Sequence, residues 1–103
     1  GVTVLAPSYE NEFLKDEEDT IKKSNALADI VIHSYCEETG LILKGLYNQD
    51  NQILINWSTI PVMVLEMGYM SNAEDDAYMA EADNQQKMAE GIAEGIDLYF
   101  GRS

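Results

Sequence analysis

Hydrophobic and polar positions follow two rhythms along this chain. Val2-Thr3-Val4-Leu5-Ala6 is a short β-branched run that stops at Pro7, which predicts a strand. Residues 8–15 are mostly polar and read as an exposed loop. From 16 to about 38 the spacing turns helical: Leu27, Ile30, Val31, Ser34 and Tyr35 recur on one side, and Gly40 sits where a helix C-cap glycine belongs. The acidic cluster Asp16, Glu17, Glu18 and Asp19 falls at the helix start, where the dipole favours negative charge, with Lys22 and Lys23 within reach. Residues 41–47 and 53–55 read as short strand or loop pieces.

Residues 61–68 differ. Pro61-Val62-Met63-Val64-Leu65-Glu66-Met67-Gly68 is nearly uninterrupted apolar sequence up to its carboxylate, and it predicts a strand buried on both faces with proline at its first position. Ser71-Asn72-Ala73-Glu74 has the form of a capping box and opens a short helix through about Ala82. Asp83 or Asn84 is expected to cap a last helix, on which Met88, Ile92, Ile96 and Tyr99 repeat at about 3.6 residues opposite Glu90, Glu94 and Asp97. Gly91 and Gly95 would let that helix approach a sheet closely, at roughly 1 kcal/mol each in helix propensity. The order strand, helix, strand, helix, helix predicts an α/β layer with parallel strands, thin for its class.

Composition narrows the function. The 103 residues, 46% hydrophobic with 2 Pro and 7 Gly, suit one packed domain rather than a repeat array or a disordered chain. No apolar run nears the roughly 20 residues that span a bilayer, and Gly1-Val2-Thr3-Val4 lacks the regions of a signal peptide; the expectation is a soluble chain without an address. A formal net charge of -13 opposes nucleic acid and anionic membrane as partners. The single cysteine, Cys36, excludes an internal disulfide, and the single histidine, His33, cannot by itself make a three-ligand catalytic zinc site. The acidic clusters lack the spacing of an EF-hand loop.

Glu66 is the candidate for chemistry. A carboxylate at the end of an apolar strand, followed closely by glycine, can serve as a general base; it can equally be the first solvated residue after the strand. His33 reads as a surface or half-buried histidine and Cys36 as an ordinary buried thiol. Trp57, Tyr47 and Tyr69 could line a sugar- or peptide-binding surface, but aromatic residues and the five methionines of so small a domain read first as core.

The segment Ile60-Pro61-Val62-Met63-Val64-Leu65-Glu66-Met67-Gly68-Tyr69-Met70-Ser71-Asn72 resembles the zinc-dependent N-acetylmuramoyl-L-alanine amidases of bacterial cell walls, whose pattern there is P-x-x-L-x-E-x-G-F-x-S-N. Ser24-Asn25-Ala26-Leu27-Ala28 resembles the family's S-x-x-L-A helix opening, and Thr39-Gly40 with Lys44-Gly45-Leu46 its T-G and R-G-V. Residues 88–96 resemble its closing helix. The likeness covers nearly the whole chain.

The resemblance implies hydrolysis of the amide between the muramyl lactyl group and the first L-alanine of the stem peptide, with zinc as cofactor and Glu66 matching the catalytic glutamate. It further implies an extracellular or wall-associated location. The family's zinc ligands lie in D-P-G-H-G-G and S-x-H-x-N runs, and neither occurs here; Lys44 and Asn56 stand at frequent arginine positions, and Tyr69 replaces phenylalanine. Residues 1–103 are therefore expected to be the C-terminal portion of one amidase catalytic domain: a partial three-layer, parallel-type sheet with flanking helices, without the N-terminal strands. The chain alone is expected to hold no metal and to be inactive. Its exposed sheet edge would accept a second copy or an upstream half-domain. The alternative is a non-catalytic truncated homologue that binds wall peptide or a protein.

Overall fold

The structure, a computed structural model, describes residues 1–14, 16–48, 60–69 and 71–101. Residues 53–55, Asn56, Trp57 and Met70, which figure in the sequence reading, lie outside them. Among the described residues the elements run β1 (Val2–Ala6), a 3-10 turn (Glu12–Leu14), α1 (Glu18–Thr39), β2 (Leu43–Asn48), β3 (Val64–Glu66), α2 (Ala73–Ala80) and α3 (Ala82–Tyr99). The α/β class stands.

The sheet has the order β2-β1-β3. β1 and β2 are parallel and joined through α1, as a crossover unit requires. β3, however, runs antiparallel to β1, so the sheet is mixed, not parallel throughout. Nor is residues 61–68 a strand buried on both faces: only Val64–Glu66 pairs, at an edge, and all three residues are half-buried. Pro61 has no amide to give a ladder, and the Val62 amide donates instead to Ser24 Oγ at 2.8 Å. Pairing therefore starts late.

Alternation on β1 decides where the core sits. Val2, Val4 and Ala6 are fully buried and pack with Ala28, Ile32, Tyr35 and Met88, while Leu46 and Leu65 join from the neighbouring strands. Partners in register point to the same side of a sheet, so Thr3, Gly45 and Glu66 share the opposite face. The buried stripe of α1 is broader than its apolar residues alone: Thr20, Ser24, Ser34 and Thr39 are buried too, whereas Leu27 and Ile30 are half-buried. Gly40 closes the helix at φ 75°, in the left-handed region that glycine adopts freely, and donates to Cys36 O.

Helix α3 lies against α1, and here Gly91 and Gly95 find their reason. A Cβ on Gly91 would stand 2.9 Å from the Tyr35 Cα, and one on Gly95 2.9 Å from the Val31 Cα. The close approach is thus to a helix, not to the sheet. Ser34 Oγ donates to Gly91 O at 2.8 Å across the same contact.

Three local expectations change in detail. Asn72, not Ser71, caps α2: its Oδ1 accepts from the amides of Glu74 and Asp75, both at 3.0 Å. α3 begins at Ala82 behind Glu81, which makes no side-chain cap, so neither Asp83 nor Asn84 caps it. With one residue between the helices, Asn84 Nδ2 and Gln85 Nε2 instead donate back to Tyr78 O and Met79 O at the end of α2, the former also accepting from the Glu81 amide. The loop after β1 is anchored rather than loose, because Pro7, Asn11 and Leu14 are buried and Pro7 O accepts from Asn25 Nδ2 at 2.9 Å and Asn48 Nδ2 at 3.2 Å.

Candidate active site

Glu66 ends β3 directly opposite Thr3 of the central strand, half-buried. A three-residue edge strand has few ladder bonds to hold it, and the chain beyond is fixed by side chains from elsewhere. Tyr35, fully buried in α1, donates its hydroxyl to Met67 O at 2.9 Å. Burial pushes its phenol well above the usual tyrosine range, so the hydroxyl stays a donor at any working pH. Gly68, at φ 156°, passes beside Met79, whose sulfur would lie 3.1 Å from an added Cβ. The Tyr69 amide then donates to Asp75 Oδ2 at 3.1 Å, and the Tyr69 hydroxyl pairs with Thr3 Oγ1 at 3.0 Å.

Asp75 is the buried carboxylate of this region, 4% exposed. The nitrogen of Gly1 also donates to it, joining the start of β1 to the N-terminal turn of α2. The Tyr69 amide and, from β2, the Lys44 ammonium favour its ionised form against the opposing effect of burial.

The other candidates are not brought to Glu66. His33 is exposed on α1, its Nδ1 2.7 Å from Asp29 O and 3.5 Å from the Asp29 carboxylate. Asp29 and Glu37 stand four residues to either side of it on that helix face. With Glu38, Glu94 and Leu98 these line a groove of about 330 Å³ between α1 and α3, none of whose walls belongs to β3 or the turn after it. Cys36 is half-buried against the core, and burial raises its thiol pKa. Tyr47 and Tyr69 are not core: they are 53% and 38% exposed.

Among the described residues no three His, Cys, Asp or Glu side chains converge as a zinc ion would need, so this set does not fit the ion. Among them also, no helix is long and apolar enough to cross a membrane.

Sequence reasoning picked out Glu66 but missed Ser24, Tyr35 and Asp75, which fix the chain around it. Ser24 alone left a signal, a polar residue inside a helix stripe that the fold buries completely.

A mixed β2-β1-β3 sheet packed on α1, with a carboxylate at the end of its short strand, is an α/β arrangement. The sequence profile of the N-acetylmuramoyl-L-alanine amidases matches residues 1–98, and the chain belongs to that family. The Probable cell wall amidase LytH of Staphylococcus aureus is 28% identical over 75 residues, 73% of this chain and 25% of LytH, with the same figures in strains USA300 and COL. The catalytic domain of CwlV, an N-acetylmuramoyl-L-alanine amidase from Bacillus (Paenibacillus) polymyxa var. colistinus, has a similar structure: TM-score 0.79 and 28% identity, covering 100% of this chain and 50% of that one. The chain thus spans a quarter of the length of its curated relatives and half of the solved domain.

Proposed function

We propose that residues 1–103 are the C-terminal portion of an amidase catalytic domain that cleaves the amide between N-acetylmuramic acid and L-alanine in peptidoglycan, with Glu66 as general base. The observation that carries this reading is a carboxylate held at the end of β3, beside the central strand, within the V-L-E-M-G run of a chain that belongs to the amidase family. In this role Glu66 takes a proton from the attacking water and returns it to the leaving alanine amine, so that the C–N bond breaks with the nitrogen leaving as a neutral amine. The muramyl group and stem peptide are the substrate, and the location is extracellular or at the wall. The zinc implied by the resemblance would take its ligands from residues other than those described. An upstream half-domain, or a second copy, at the sheet edge belongs to the same proposal.

The test is Glu66→Gln in the natural full-length protein, with release of stem peptide from purified muropeptide as the assay. Turnover should fall roughly 10²-fold or more at unchanged thermal midpoint. Activity within a few-fold of wild type would remove Glu66 from the mechanism. A second reading, a non-catalytic module that binds wall peptide, is favoured by the exposed rings of Tyr47 and Tyr69. Wild-type protein that binds muropeptide without ever cleaving it would establish that one instead.

A further inference from the structure

We infer that helix α1 sets the position of Glu66: Ser24 and Tyr35, on its buried side, tie down both ends of the segment that carries the carboxylate. The inference rests on the reading of Glu66 as the base, and it makes Ser24 and Tyr35 positioning residues rather than catalytic ones.

The two ties are Val62 N–H to Ser24 Oγ at 2.8 Å and Tyr35 O–H to Met67 O at 2.9 Å. Both side chains are fully buried. Their spacing matches the segment they hold. Ser24 and Tyr35 are 11 positions apart in the sequence, about three turns, so they share a face and stand roughly 16 Å apart along the helix axis at 1.5 Å per residue. Val62 and Met67 are 5 positions apart, roughly 16 Å in extended chain at 3.3 Å per residue. Early residue meets early residue and late meets late, so helix and segment run in the same direction. Helix α1 acts as a rule laid beside the strand.

Such a device is needed because of what β3 lacks. Among the described residues it pairs on one side only, and its partners in register are Thr3, Val4 and Leu5. Pro61 can donate nothing before it, and Gly68 leaves the backbone after it free to turn. A strand this short at an edge can fray, and a shift of about 1 Å at a general base is enough to cost turnover on the order of 10²-fold. The two α1 bonds act on the backbone just before and just after the strand. Asp75, through the Tyr69 amide, holds the turn one step further on.

The experiment pairs Tyr35→Phe and Ser24→Ala with Glu66→Gln in the natural full-length protein. Each replacement keeps the packing nearly intact while removing the hydroxyl. The expected result is a fall in kcat of about 10-fold in the Tyr35→Phe, Ser24→Ala double variant with KM within two-fold of wild type. No further loss is expected when the pair is added to Glu66→Gln. Amide hydrogen exchange should quicken about 10-fold over residues 62–69 while α1 and α3 keep their protection. A purely structural role predicts something else: exchange that rises equally in all three elements, with kcat unchanged, and that pattern overturns the inference. If Glu66→Gln abolishes turnover but the double variant keeps wild-type kcat, the base reading stands and the positioning role is lost. If Glu66→Gln is itself fully active, both are lost together.

Discussion

Helix α1 meets α3 and the β3 segment by different means. Against α3 it is pressed to backbone distance, with Gly91 and Gly95 where any side chain would collide with the Cα atoms of Tyr35 and Val31. Against the β3 segment it reaches out with two hydroxyls and leaves the strand half-buried. The first contact gains its strength from dispersion over many atoms and has no slack. The second depends on single hydrogen bonds, each contributing about 1 kcal/mol net. The lesson is that the framework is rigid by packing, whereas the part proposed to do chemistry is placed by a few polar ties, where small changes in the helix can be felt.

The contrast can be broken most forcefully at the glycines. Gly91→Val drives a branched side chain into the α1 backbone, and urea unfolding should show a loss of about 3 kcal/mol, the upper end for overpacking. A loss under 1 kcal/mol would mean that the two helices separate easily. Asp75→Ala comes next. It leaves the Tyr69 amide and the Gly1 nitrogen without their acceptor, and the loss at neutral pH should be about 2 kcal/mol.

Smaller effects sharpen the picture. Ser34→Ala removes the donor to Gly91 O inside the tight contact and should cost about 1 kcal/mol by the same unfolding assay. Tyr78→Phe is the control with the opposite sign: among the described residues its buried hydroxyl has no hydrogen-bond partner, so its removal should stabilise by up to about 1 kcal/mol. A clear loss there would reveal a partner for that hydroxyl.

Much of the framework is legible in the residues themselves. The β-branched run of β1, the period of α1 and α3 and the glycine at the C-cap each act within one element, where spacing alone decides the outcome. The direction of β3 is not of this kind. An unbroken apolar run reads as a strand covered on both sides, yet the loss of the Pro61 amide and the capture of Val62 by Ser24 left only three residues to pair. The site divides in the same way. Glu66 shows itself at the end of its own run, but Ser24 and Tyr35 act over more than 30 positions of sequence. Asp75 is one of three adjacent carboxylates, Glu74, Asp75 and Asp76, and only the phase set by Asn72 turns it inward.

The matched lengths of α1 and the strand beside it bear on how this protein can change over generations. A residue inserted between Ser24 and Tyr35 would swing one hydroxyl about 100° around the helix, so that only one end of the strand segment could still be held. Between the buried Pro7 and Asn11, exposed Tyr9 and Glu10 carry no helical phase, and an insertion there costs little, since loop closure grows only slowly with size. Gaps among homologous chains should therefore gather before this helix and be absent from its middle, and the interval from Ser24 to Tyr35 should be inherited as a fixed length even where its residues are replaced.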